Sequence, residues 1–267
     1  MASGSAVRAL TAEDAPKLFF WGARTLFLGK ALGLSAHRNA VAVLCAGVDG
    51  PFKVARDPKR PDQGYIACRT ALIPANTLHH LRCGDVTMAF LYVDARSDDF
   101  RHVAASMQAM RERFATRLAG ETRYLDALDA LRDGRPWREA RIEIAAALGL
   151  GRPLPEDARI TAALQSLREN PDKPHALEQV ARKASLSPSR FLHLFKAATG
   201  VPFRRYRMWM RMGAAVRSMT AGRPLTEAAL AAGFASSSHF SAAFREMFGL
   251  SPSQFAAARL SIQDGRG

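Results

Sequence analysis

What this 267-residue chain lacks is as informative as what it holds. It has three cysteines, Cys45, Cys68 and Cys83, with no CxxC pair and no metal-type spacing. That excludes a disulfide framework or a zinc ribbon and fits reduced thiols in a cytoplasmic protein. No uninterrupted apolar run reaches the length of a membrane span, so no membrane partner is expected. The opening stretch MASGSAVRALTAEDAPKL has no basic start leading into an apolar core, so no signal peptide is expected. There is no phosphate-cradling GxxxxGK[ST] loop, no GxSxG elbow and no HExxH. Glutamate is missing altogether between Glu13 and Glu112.

A further absence points forward. Between Glu178 and Glu227 no acidic residue occurs, while Arg182, Lys183, Arg190, Lys196, Arg204, Arg205, Arg207, Arg211, Arg217 and Arg223 fall in the same window. The whole chain carries 38 Lys+Arg against 24 Asp+Glu, a net charge of +14. Residues 1–150 contribute 21 basic and 16 acidic side chains, and residues 151–267 contribute 17 and 8, so net charge rises from +5 to +9 in the shorter piece. A solvated face interleaves both signs. A one-sign stretch on helical segments reads as a surface for a polyanion. Hydrophobic content of 48% with 23% charged residues is that of a globular chain of one large or two ordinary domains.

Three zones follow one another. From about Leu18 to Val93 the chain reads as short strands, at Asn39–Val48, Tyr65–Ile73 and Val86–Val93. They are bounded by the turn clusters Val48-Asp49-Gly50-Pro51, Pro61-Asp62-Gln63-Gly64 and Cys83-Gly84-Asp85. Short, evenly spaced strands predict a sandwich or small barrel over residues 1–97. From Asp98 to Asp133 the pattern reads as helix: Phe100, Val103, Met107, Met110 and Phe114 make a narrow seam. Gly120 breaks it, and Tyr124, Leu125, Leu128 and Leu131 resume. Residues 98–148 are therefore expected to hold a helical hairpin, with homodimerisation through 98–131 as one use of the seam. Residues 149–155 read as a linker. Everything beyond, chiefly 155–259, reads as helical.

The C-terminal zone repeats itself. Leu177, Ala181, Ala184 and Leu186 align with Leu225, Ala229, Ala232 and Phe234 at an offset of 48. After one inserted residue, Phe191, Phe195, Lys196, Gly200 and Tyr206 align with Phe240, Phe244, Arg245, Gly249 and Phe255 at an offset of 49. Each copy has a short Ala-rich helix ending at a small residue, Ser185 or Gly233. Ser187 or Ser236 then caps a second helix. This is helix-turn-helix grammar, whose second helix can enter a DNA major groove. With the phenylalanines buried, the outward residues are Ser187, Ser189, Arg190, His193 and Lys196 in one copy, and Ser237, Ser238, His239, Ser241 and Arg245 in the other. Arg204 and Arg205 open the joining segment. Arginine and lysine would meet phosphates or the guanine O6/N7 edge, and the histidines and serines could donate to bases or backbone. On one rigid bundle, two such helices could reach major-groove faces about 34 Å apart.

The stretch LTEAALAAGFASSSHFSAAFREMFGLSPSQF, Leu225 to Phe255, resembles the signature of the AraC (arabinose-regulator-like) transcription factors. The landmarks are Ala231-Ala232-Gly233-Phe234, Ser238, Phe240, Phe244-Arg245, Phe248-Gly249 and Ser251-Pro252. The upstream LSPSRFLHLFKAATGVPF resembles the first helix-turn-helix of the same family. The N-terminal zone, through IPANTLHHLRCGD before VTMAFLYVDA, resembles the family's cupin-like sensor domains. Three positions depart from the pattern: Ala228 stands for a branched apolar residue, Ala242 for a common arginine, and Ser189 for a larger base-contacting side chain.

The resemblance implies an α+β chain with an N-terminal cupin-like β-barrel plus helical hairpin and a C-terminal all-α domain of seven helices. It also implies a non-enzymatic, effector-responsive activator that binds double-stranded promoter DNA, recruits RNA polymerase, and senses an unidentified small molecule. His79 is expected at or near a barrel pocket, with Trp21, His37, Tyr65 and Arg82 as further lining candidates. No cofactor is expected, and no metal, since the HxH pair followed closely by Glu is absent. The competing readings are a metal-dependent cupin enzyme with an accessory helical domain, and a purely helical protein adaptor.

Overall fold

The computed structural model describes residues 16–31, 35–55, 64–111, 114–150, 157–170, 173, 175–199, 201–257 and 261–264. Eight strands come first: β1 Lys17–Trp21, β2 Arg24–Lys30, β3 Ala42–Gly47, β4 Phe52–Ala55, β5 Ile66–Cys68, β6 Thr70–Ile73, β7 His80–Arg82 and β8 Thr87–Val93. Then follow α1 Asp98–Ala105, β9 Met107–Arg111, β10 Phe114–Leu118, α2 Glu121–Arg132 and α3 Trp137–Ala147. The C-terminal half holds α4 Ala158–Glu169, α5 Leu177–Lys183, α6 Pro188–Thr199, α7 Phe203–Thr220, α8 Leu225–Ala231, α9 Ser237–Phe248, α10 Pro252–Ala257 and β11 Ser261–Asp264.

The expected division, a sheet-rich antiparallel half followed by a helical half, is what the chain adopts. An eight-stranded sheet runs β11-β1-β2-β8-β3-β6-β10-β9 and a three-stranded sheet runs β5-β4-β7. All pairings are antiparallel except β1 with β11. Side-chain alternation along the central strands serves two cores. Leu26, Leu28, Leu44, Leu91 and Val93 point to one face, where Tyr124, Leu128, Trp137 and Ile144 of α2 and α3 cover them. Phe27, Val43, Cys45, Met88 and Tyr92 point to the other, against Phe52 and Val54 of the small sheet. Covering on both faces explains why β3 is buried at all six positions. The three thiols are buried and free. Burial alone pushes the Cys83 thiol up to about 11, and burial with nearby Glu121 pushes Cys68 up to about 12.

The expected run Tyr65–Ile73 is two strands, β5 and β6, in different sheets. Between them Arg69 donates to the Gly47 and Val48 carbonyls at 2.8 and 2.7 Å. The larger departure is the helical seam of 100–114. Helix α1 starts on Ser97, whose Oγ accepts from the Phe100 amide, and ends at Ala105. The chain then folds back as a β-hairpin with Met107 opposite Leu118 and Met110 opposite Ala115. β10 pairs with β6, Ala115 opposite Leu72, and β9 becomes the end strand of the large sheet. Short apolar runs satisfy helical and strand spacing alike, and here pairing to an open sheet edge decides. The helical pair lies one element later, as α2 and α3, after Gly120 in the left-handed region (φ 70°). Trp137 anchors it, stacked on Phe19 with centroids 4.5 Å apart.

Of the expected linker, residues 151–155 lie outside the described residues. Beyond it α4–α10 are the seven expected helices, but a strand follows them. β11 returns to the N-terminal half and pairs parallel with β1, Lys17 opposite Ser261.

Candidate nucleic-acid interface

The repeat seen in the sequence is a repeat in the backbone. In the first unit the Leu186 amide donates to Ala181 O at 2.9 Å and the Ser185 amide to Arg182 O at 2.9 Å. In the second, the Phe234 amide donates to Ala229 O at 3.0 Å and the Gly233 amide to Leu230 O at 2.9 Å. Each closes the first helix through a left-handed residue, Ser185 at φ 53° and Gly233 at φ 82°. One residue more in the second turn then shifts the offset from 48 to 49. Ser187 Oγ accepts from the Arg190 amide at 3.3 Å and Ser236 Oγ from the His239 amide at 3.1 Å. Such a cap is worth about 1 kcal/mol. Ser187, expected at the DNA, thus has its oxygen committed to starting α6.

The inward stripes are aromatic. Phe191 and Phe195 of α6, and Phe240 and Phe244 of α9, are fully buried. Their centroids are 5.5 Å apart in the first pair and 5.7 Å in the second. Each such ring contributes about 1.5–3 kcal/mol through burial. Locking one stripe inward fixes the other outward. Ser189, Arg190, His193 and Lys196 on α6 are all exposed, as are Ser238, His239 and Arg245 on α9, with Ser237 and Ser241 half-buried. Ala242, exposed on the same α9 face, offers only a methyl group there.

On α7, which joins the units, Arg204 is exposed. Arg205 is not turned to solvent in the same way: its guanidinium pairs with the buried carboxylate of Asp94, at the end of β8. Sequence reasoning could not see this partner 111 residues away. It also passed over Arg211, whose side chain lies beneath the second turn, so that a Cβ at Gly233 would sit 3.3 Å from its Nε. Burial, then repulsion from Arg211, lowers the pKa of Arg207.

The ligand candidates of the N-terminal half do not converge. Trp21 packs edge-on to Trp137 at 6.0 Å and lies under the Arg24 guanidinium, on the α3 side of the sheet. His37 and His79 form an isolated β-bridge, each amide donating to the other's carbonyl at 3.0 Å, with rings 4.4 Å apart. Their Nδ1–H groups donate to the Ser35 and Thr77 carbonyls at 2.8 and 2.9 Å. Burial, then the His37 neighbour, lowers His79 to about 4, and burial lowers His37. Tyr65 bonds through its hydroxyl to His80 Nδ1 at 2.9 Å, and Arg82 lies 4.0 Å over its ring.

None of the five lines either of two pockets found among the described residues. One, of about 580 Å³, opens between α4 and α5 over Ala163, Leu167 and Val180. The other is an apolar cleft of about 30 Å³ where Leu18, Phe27, Phe90 and Tyr92 meet Phe248, Leu250 and Phe255. Among the described residues no group of three His, Cys, Asp or Glu is placed to hold a metal ion, and no helix is long and apolar enough to cross a membrane.

Residues 180–258 match the family described as a helix-turn-helix domain. An uncharacterized HTH-type transcriptional regulator of Haemophilus influenzae is 29% identical over 101 residues, 38% of this chain and 34% of that protein. The probable transcriptional regulator LumQ of Photobacterium leiognathi is 32% identical over 91 residues, 33% and 36% respectively. The chain thus spans about a third of the length of the curated relatives it matches. The crystal structure of ToxT from Vibrio cholerae O395 overlays with a TM-score of 0.46 at 12% identity, covering 88% of this chain and 96% of that one. With its two capped units, the segment over residues 180–258 is a helix-turn-helix domain, and its landmarks from Leu225 to Phe255 resemble those of the AraC (arabinose-regulator-like) type.

Proposed function

We propose that this protein is a sequence-specific DNA-binding transcriptional regulator whose two helix-turn-helix units read successive major-groove segments. The observation that carries the proposal is the doubled unit. Two recognition helices are started by equivalent serine caps and locked by equivalent phenylalanine pairs, and they expose Arg190, His193 and Lys196 from a window without acidic side chains, with His239 and Arg245 beyond it. The arginines and Lys196 supply phosphate and guanine contacts. The serine-rich face of α9, with Ala242 at its centre, makes the second unit the weaker base reader.

Regulation by a small effector, activation through RNA polymerase and a cytoplasmic location extend the same reading. The N-terminal half is the sensor, and His79 with His37 at its contact with the helical half is the place where an effector's presence would be felt. A homodimer does not have a helical seam at 100–114 to use. The end strand β9, with Met110 72% exposed, is the pairing surface in its place.

The test is recovery of fragmented genomic DNA by the purified protein at about 0.15 M salt with excess competitor, near physiological screening, followed by sequencing. Enrichment of a few loci sharing a motif is the expected result. Uniform recovery would overturn sequence specificity, and no salt-dependent recovery would overturn DNA binding itself.

A further inference from the structure

The contacts between the two halves carry an inference that rests on the DNA-binding function proposed above. The two helix-turn-helix units are not held alike. The first has its own core, with Ile160, Leu164, Phe191, Phe195 and Tyr206. The second shares one continuous core with the sheet, from Leu18, Phe27 and Tyr92 to Trp209, Phe248 and Phe255.

Polar contacts fix the same junction. The Ala40 amide donates to Glu246 O at 2.6 Å, and Asn39 Nδ2 donates to Met247 O at 3.1 Å. Glu246 and Met247 are in the last turn of α9, where carbonyls have no partner within the helix. The loop before β3 therefore caps the recognition helix of the second unit. Buried Asn39 leaves its Oδ1 without a partner among the described residues, so docking forgoes a hydrogen bond that water would restore on separation.

Asp94 is the charged member of the junction. Its side chain has no exposed surface, Oδ1 accepts from the Arg96 amide at 2.9 Å, and Oδ2 takes the Arg205 guanidinium. A buried carboxylate demands such a cation. Arg205 cannot give the same guanidinium edge to a phosphate while Asp94 holds it. The reading residues of α6 and α9 meanwhile remain at the surface.

We propose that Asp94, which holds the first turn of α7 beside the first unit's core, and the 37–40 segment, which holds the end of α9, form a latch that keeps the helical half on the sheet and withholds Arg205 from DNA phosphate, so that release adds one phosphate contact.

Asp94→Asn tests this conservatively. Asn keeps the Oδ1 that accepts from Arg96 and replaces Oδ2 by an amide that repels the guanidinium. Binding to a mixed-sequence duplex is titrated against salt for the full-length chain, Asp94→Asn, Arg205→Gln and the double variant. Release predicts a log–log salt slope steeper by about 0.9 in Asp94→Asn, so that its advantage grows about 3.5-fold when salt falls fourfold. Arg205→Gln should leave the wild-type slope unchanged and cancel the gain in the double variant. A wild-type slope in Asp94→Asn, or a shallower one in Arg205→Gln alone, overturns the proposal.

Hydrogen exchange gives a readout independent of DNA. The Ala40 amide should lose protection in Asp94→Asn and in Arg205→Gln while β3 and β8 keep theirs. Retained protection in both variants overturns the latch. If no form of the protein shows salt-dependent DNA binding, the functional reading falls, and Ala40 protection still decides whether Asp94 holds the junction.

Discussion

Replacing Gly249 by alanine should strain the protein at one point and for two separable reasons. Gly249 ends α9 in the left-handed region, at φ 78°. An L side chain there costs about 1–2 kcal/mol from its own backbone. The second reason lies in the other half of the molecule. A Cβ on Gly249 would fall 2.1 Å from His37 Cδ2 and 2.5 Å from Nε2. The ring cannot swing away freely, because Nδ1 bonds the Ser35 carbonyl and the face packs on His79. Displacing it forfeits those contacts, another 1–2 kcal/mol or about that. The sum, about 2–4 kcal/mol, should lower Tm by several degrees, since about 2–4 °C accompanies each kcal/mol in a chain near this size.

The two terms separate in a double-mutant cycle read by urea unfolding. In a His37→Ala background the steric term has nothing to act on, and Gly249→Ala should then cost only the backbone strain. The same cost in both backgrounds would show that α9 does not end against His37 in solution. A cost below about 1 kcal/mol in the wild-type background would also refute the left-handed cap.

Other consequences can be measured as directly. Lys196→Ala should weaken all duplexes about equally and flatten the log–log salt slope by about 0.9, and an unchanged slope would remove Lys196 from the phosphate contacts. His79 titrates near 4 in the folded chain against about 6.5 unfolded, so the unfolded state binds the extra proton first. Its stability contribution is therefore complete above about pH 6.5 and lost as pH falls toward 4, about 2 kcal/mol of it between pH 7 and 5. Urea unfolding of His79→Gln should show a correspondingly flatter profile over that interval, and a profile parallel to wild type would contradict the burial. Met110→Asp should shift a dimer to monomer in sedimentation velocity if β9 is the pairing edge, and an unchanged profile would free that edge of the role.

Much of the C-terminal half was legible because its determinants are local. A cap needs a serine three residues before an amide, as at Ser187 and Ser236. A left-handed helix end needs a small residue, as at Ser185 and Gly233. A buried stripe needs aromatics four apart, as at Phe191 and Phe195 or Phe240 and Phe244. The 100–114 seam misled for the complementary reason. Its spacing is compatible with helix, but Met107 and Ala109 are half-buried while Gln108 and Met110 are exposed, the alternation of an edge strand. What settled the matter was the free edge of β6, brought there by pairing with β3. No local pattern in residues 100–114 reports the position of Leu72. The partner of Arg205 was hidden for the same reason, since its charge is visible in the sequence and the need of Asp94 for a cation arises only once β8 buries the carboxylate.

Copying a unit does not copy its surroundings, and here the difference bears on control. The two helix-turn-helix units share turn, cap and aromatic stripe, yet one closes its own core and the other completes its core only against the sheet. Stress on the sheet therefore reaches α9 through Tyr92 against Phe248, 5.1 Å between centroids, and through the carbonyls that Asn39 and Ala40 cap. It reaches the first unit through the Arg205 pair at the start of α7 and through Ala23 of the β1–β2 turn. A change in the N-terminal half should act first on the placement of the second unit and leave the first unit's fold untouched. The first unit also exposes more basic side chains on its outward face, Arg190 and Lys196 against Arg245 alone. That division suits a regulator in which one unit anchors on DNA and the other, held by the sheet, is the unit whose engagement is adjusted.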